Sequence, residues 1–143
     1  MFMNCASLTE PPPALPATTL ANNCCWYMFC NCSSLTAAPA LPATTLTDYC
    51  YLSMFRGCSS LTAAPALPAE WLEHECYKEM FINSGVREIS ASFLDWGDGT
   101  GAWLDGVPAQ GTFYCPSDLG SDFSIERGSG RCPAGWTVVN TDA

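Results

Sequence analysis

Cys32-Ser33-Ser34-Leu35-Thr36-Ala37-Ala38-Pro39-Ala40-Leu41-Pro42-Ala43 recurs without change as Cys58 to Ala69. A variant with one extra residue runs from Cys5 through Leu15-Pro16-Ala17. Upstream of each copy lies a second marker, since Met28-Phe29, Met54-Phe55 and Met80-Phe81 follow one another at a spacing of 26 residues. Self-similarity at such a period is the signature of a repeat architecture, in which each unit buries its apolar face only against its neighbours. The 26-residue unit falls in the size range of leucine-rich-repeat-like solenoids.

The unit divides in two. Leu46, Cys50 and Met54 are four residues apart, as are Tyr51 and Phe55, and the next unit repeats the pattern with Leu72, Cys76, Met80 and with Tyr77, Phe81. This spacing predicts an amphipathic helix, with Thr44 or Thr45 as its N-cap and Gly57 as the left-handed residue that ends it. The other half, Ser-Leu-Thr-Ala-Ala-Pro-Ala-Leu-Pro, holds two prolines that cannot donate to a ladder, so an extended segment with at most a very short strand is expected. Leu35, Leu41, Leu61 and Leu67 are expected to point inward and stack from unit to unit. The expected fold class is therefore α/β: a leucine-rich-repeat-like solenoid with one short extended segment and one helix per repeat.

Composition changes after this array. Residues 1–69 carry only Glu10, Asp48 and Arg56 as charges, and Gly57 is their one glycine. Residues 1–86 are read as the solenoid, about three repeats beginning in mid-repeat, and residues 87–143 as a small β-rich cap of strands and turns. Val86-Arg87-Glu88-Ile89-Ser90-Ala91 is the expected last strand at the junction. Gly111 to Pro116 and Gly135 to Val139 are the best strand candidates in the cap, by their β-branched and aromatic content.

The chain has 143 residues, 48% of them hydrophobic and 13% charged, which suits a folded protein and not a disordered one. No apolar run reaches the length of a membrane span. A net charge of −9 would repel nucleic-acid phosphates and anionic membranes, so neither nucleic-acid binding nor membrane insertion is expected. His74 is the single histidine and leaves little material for acid–base chemistry. The N-terminus has no basic segment followed by an apolar one, hence no signal peptide, whereas ten cysteines point to an oxidising or extracellular setting. A virion is one route that reconciles the two.

The unit Met-Phe-x-x-Cys-Ser-Ser-Leu-Thr-Ala-Ala-Pro-Ala-Leu-Pro-Ala-Thr-Thr-Leu, with Cys-Tyr four residues before the next Met-Phe, resembles the BspA-like leucine-rich-repeat surface proteins of gut and oral bacteria. Trp103 to Val107, Gly111 to Tyr114 and Pro133 to Val138 resemble the terminal module that follows such arrays in gut bacterial and phage-encoded proteins. The resemblance implies a surface-exposed binding or adhesion role without enzymatic activity. The sequence departs from the pattern in starting within a repeat and in its additional Cys25, Cys30 and Cys132.

The cysteines form two columns, Cys5, Cys32, Cys58 and Cys24, Cys50, Cys76. Reduced thiols packed inward as small hydrophobes are the favoured reading, because free cysteine is among the most buried residue types. Disulfides between neighbouring units are the alternative, although a column of three leaves one member unpaired. Cys24, Cys25, Cys30 and Cys32 lack the paired knuckles and histidine of a zinc site, so neither metal nor cofactor is expected. Cys115 and Cys132, in the two halves of the cap, are the best candidates for a single disulfide.

Asp95 to Asp105 lacks the alternating oxygen ligands of a calcium loop and reads as a glycine-rich turn. Glu70, Glu73, Glu75, Glu79, Lys78 and His74 read as a solvated face, with no matched nucleophile to make them catalytic. Trp26, Tyr27, Tyr49 and Tyr51 are the candidate partner contacts, since some must project outward and exposed aromatics are frequent binding anchors, while core packing is the favoured reading for the group. Two functions are consistent with these features. One is a non-catalytic module displayed on a cell surface or virion that binds protein or glycan. The other is a structural spacer that self-associates through its uncapped N-terminal unit.

Overall fold

A computed structural model describes residues 2–119 and 127–142. The 26-residue period emerges as a stack of rungs, but its regular element is not a helix. Among the described residues the only helical segment is a single 3₁₀ turn, Ser117–Leu119. This overturns the expected α/β leucine-rich-repeat solenoid: the segments predicted as helices are ribbons of consecutive turns. Nor is any helix among the described residues long and apolar enough to cross a membrane.

The backbone shows why. Left-handed residues recur every four positions, at Asn23, Tyr27 and Asn31, at Tyr49, Ser53 and Gly57, and at Glu75, Glu79 and Asn83. A positive φ breaks an α-helix wherever it falls, so no i→i−4 ladder forms. Hydrogen bonds divide instead between two directions. The N–H groups of Met28, Cys30 and Cys32 donate three residues back, to Cys25, Tyr27 and Phe29. Those of Cys25, Tyr27, Phe29 and Asn31 donate to Cys50, Leu52, Met54 and Arg56 of the next rung. The next rung repeats the arrangement, with Tyr51, Ser53, Phe55 and Gly57 donating to Cys76, Lys78, Met80 and Ile82. Each rung thus obtains half of its backbone hydrogen bonds from its neighbour, which a helix would not.

Within the ribbons the left-handed residue is followed by a pair that points inward, such as Cys50-Tyr51, Met54-Phe55, Cys76-Tyr77 and Met80-Phe81. Stacking carries these positions from rung to rung. Phe2, Phe29, Phe55 and Phe81 form one column of nearly parallel rings with centroids 5.3, 5.5 and 5.7 Å apart. Tyr51 stacks on Tyr77 in a second column at 6.1 Å. Both columns run into a cluster of Phe93, Trp96, Trp103 and Phe113, where tilted and edge-on contacts replace parallel stacking.

The proline-bearing half of each rung is extended, and Leu35, Leu41, Leu61 and Leu67 point into the core. Its pairing is sparse, limited to isolated parallel bridges such as Ala14 with Ala40 and Leu67 with Ala91. Regular strands form only where the prolines stop. These are β1 (Glu88–Ser90), β2 (Thr112–Cys115) and β3 (Thr137–Asn140), a parallel sheet in that order with Ile89, Phe113 and Val138 in register. The three strand candidates of the sequence reading coincide with them. Ala63 also bridges to Glu88, so the parallel pairing crosses residue 86, and one hydrophobic cluster unites residues on both sides of it.

Candidate functional site

The left-handed positions other than buried Ser53 reach the surface, and with their neighbours they create a turn face whose side chains change from rung to rung. Trp26 is 44% exposed and meets the ring of Tyr27 edge-on at 5.5 Å. One rung on, half-buried Tyr49 meets the His74 ring edge-on at 5.1 Å. Beyond them the face becomes ionic. Arg56 donates to Glu79 at 2.6 Å, Ser53 Oγ donates to the same carboxylate oxygen, and Lys78 donates to Glu75 at 2.8 Å. His74 Nδ1 lies 2.5 Å from Asp98 Oδ2, and this hydrogen bond raises the pKa of the imidazole.

The structure separates the four candidate aromatics. Trp26, Tyr27 and Tyr49 reach the surface, whereas Tyr51 is only 2% exposed and belongs to the core column with Tyr77. Burial there raises the pKa of the Tyr51 phenol. Tyr51 is therefore corrected from partner contact to core residue; its place directly after the inward Cys50 in the four-residue step is the reason. Sequence reasoning missed Trp71, the most exposed large hydrophobic side chain among the described residues at 67%. Its signal was the step from Leu46 to Leu72, which places Trp71 just outside the inward position.

The cysteine columns divide in the same way. Cys32, Cys58, Cys50 and Cys76 are fully buried free thiols, and burial pushes Cys58 and Cys76 up to about 12 and Cys50 to about 11. Cys5 and Cys24, the first members, are exposed. They are therefore not core residues among the described ones. Cys115 and Cys132, the candidates for a disulfide, are buried free thiols; burial pushes Cys115 up to about 11 and also raises Cys132, against the opposing charge of Arg127.

Among the described residues, no group of three or more His, Cys, Asp or Glu side chains is placed to hold a metal ion. The carboxylates of the glycine-rich turn diverge: Asp95 accepts from the Gly97 N–H, Asp98 pairs with His74, and Asp105 accepts from Ser129. On the turn face Glu79 is engaged by Arg56 and by the Ser53 hydroxyl, and Glu75 by Lys78. What the face offers chemically is contact: flat aromatic surfaces beside paired charges, held on a stacked backbone. Comparison with known protein families, with curated proteins and with solved structures finds no match.

Proposed function

We propose that the chain is a non-catalytic binding module that engages protein or glycan through its turn face. The observation that carries this reading is the exposure of Trp26 beside half-buried Tyr27, with half-buried Tyr49 one rung on, on a backbone whose interior repeats while its outward residues vary. Aromatic side chains supply large contact area at low conformational cost, and they dominate the energetics of protein and sugar recognition. The resemblance of the repeat unit to bacterial surface proteins favours display outside the cell or on a virion. The test is saturable attachment to immobilised host glycoproteins and glycans: the Trp26→Ala and Tyr49→Ala variants lose attachment while keeping their unfolding midpoints. Unchanged attachment by both variants would overturn the reading.

A second reading, a spacer or assembly element, draws on a separate observation. Leu8, Leu15 and Leu20 are only half-buried, whereas their counterparts Leu35, Leu41 and Leu46 in the next rung are buried. The carbonyls of Asn22, Cys24 and Trp26 receive no backbone donor among the described residues, although the equivalent Asp48, Cys50 and Leu52 each do. An edge of this kind supports self-association, which sedimentation at micromolar concentration measures. A monomer throughout that range would eliminate the spacer reading.

A further inference from the structure

Three successive rungs place a cysteine at the position of Cys24, Cys50 and Cys76, but only the first follows it with a second cysteine. Cys25 occupies the position that Tyr51 and Tyr77 fill in the later rungs. The replacement leaves two sulfur atoms side by side, Cys24 Sγ and Cys25 Sγ being 3.6 Å apart. Cys24 is exposed and Cys25 lies just beneath it at 8% exposure, so the pair has an open approach that Cys50 and Cys76 lack. The left-handed turn at Asn23 precedes the pair and the Cys25 N–H is fixed on the Cys50 carbonyl, which holds the two thiols on a defined backbone.

We propose that Cys24 and Cys25 form a dithiol site for a soft, three-coordinate thiophile, namely a monosubstituted trivalent arsenical. Such a centre is pyramidal and accepts two sulfurs at a narrow bite while its third substituent points to solvent. Tetrahedral zinc is the competing occupant, since its sulfur–sulfur edge is about 3.8 Å at the usual zinc–thiolate distance. Zinc needs further donors, however, and no group of three His, Cys, Asp or Glu side chains is available for a metal among the described residues. Burial and the adjacent Cys24 also push Cys25 up to about 12, so keeping it as a thiolate for a divalent cation is costly. An arsenical avoids that cost, because each As–OH group condenses with an S–H group. Two As–S bonds form, two As–O bonds break, two water molecules leave with the thiol protons, and arsenic keeps its oxidation state.

Phenylarsine oxide added at one equivalent to the folded protein, followed by intact-mass measurement, tests the site. One adduct is expected, retained in excess monothiol, stripped by a dithiol, and mapped to the peptide that holds Cys24 and Cys25. Cys24→Ser loses the adduct, as does Cys25→Ser, whereas Cys5→Ser and Cys115→Ser keep it. Cys24 is exposed, so its variant retains the fold and decides the matter even where Cys25→Ser does not fold. Retention of the adduct by Cys24→Ser, its loss in Cys115→Ser, or no adduct on the wild-type protein would each overturn the proposal.

Discussion

The amide of Asn31 lies over Gly57, in the space that a Cβ on Gly57 would occupy, and the pair joins two successive rungs at the same left-handed position. Asn83 stands over Gly106 in the same way. At the start of the column, Asn31 donates to the Asn4 side chain at 3.2 Å.

Gly57→Ala therefore meets two obstacles, a φ of +74° and the Asn31 side chain. The left-handed conformation costs a non-glycine residue on the order of 1–2 kcal/mol, and the clash adds to it. Chemical denaturation should show a lower midpoint for Gly57→Ala. The double variant Asn31→Ala/Gly57→Ala should recover the clash but not the backbone cost.

Phe55 is stacked on both faces, by Phe29 and by Phe81, whereas Phe2 is stacked on one and is half-buried. Phe55→Ala is expected to destabilise by about 3–5 kcal/mol, the usual range for a buried phenylalanine. Phe2→Ala should cost clearly less. Equal losses in urea unfolding would show that the stack does not behave as neighbour-coupled rungs.

Thiol alkylation followed in time should label Cys5 and Cys24 first. The buried thiols other than Cys25, among them Cys50, Cys58 and Cys76 with their raised pKa values, should react only slowly in the folded state and all together once it unfolds. Peptide mapping at early times distinguishes the two classes. Early labelling of Cys50 or Cys76 would contradict the stack.

His74 has a raised pKa because Asp98 accepts its proton in a hydrogen bond. The charged pair accordingly favours the folded state fully below the unfolded value of 6.5, and that contribution disappears as the pH rises through the folded pKa. Both side chains are largely exposed, so the effect on stability is small and falls with salt. An NMR titration should place the wild-type imidazole above 6.5 and bring it down in Asp98→Asn.

Much of this architecture was legible in the sequence. The identical twelve-residue segments showed that rungs repeat, the paired leucines of the extended half showed which residues face inward, and the proline positions showed where strands could not form. The turn ribbon was misread because Leu46, Cys50 and Met54 satisfy a helix almost as well. The distinguishing sign was Cys58, which continues the series at an unvarying interval of four, where a helical stripe of 3.6 residues per turn would have drifted. Asn and Gly at Asn31, Gly57, Asn83 and Gly106 carried the same message, since these residues tolerate a positive φ. The candidate site was harder to read. Whether Tyr49 or Tyr51 faces solvent depends on the direction of each four-residue step, and that direction is set by hydrogen bonds to the next rung.

Within the turn ribbons, the described hydrogen bonds between rungs all run one way, from an N–H in the earlier rung to a carbonyl in the later one, as from Phe2 to Met28 and from Asn83 to Asp105. The ribbon therefore has a sense, with carbonyl acceptors along its first edge, while its last turn segment is covered by Gly130 and Arg131. Two first edges have nothing to exchange through their main chains, which excludes a two-fold pair built by extending the ribbon. A chain that extends the ribbon at this edge must instead bring a row of N–H donors, as each earlier rung brings them to the later one, so the edge selects its partner by orientation.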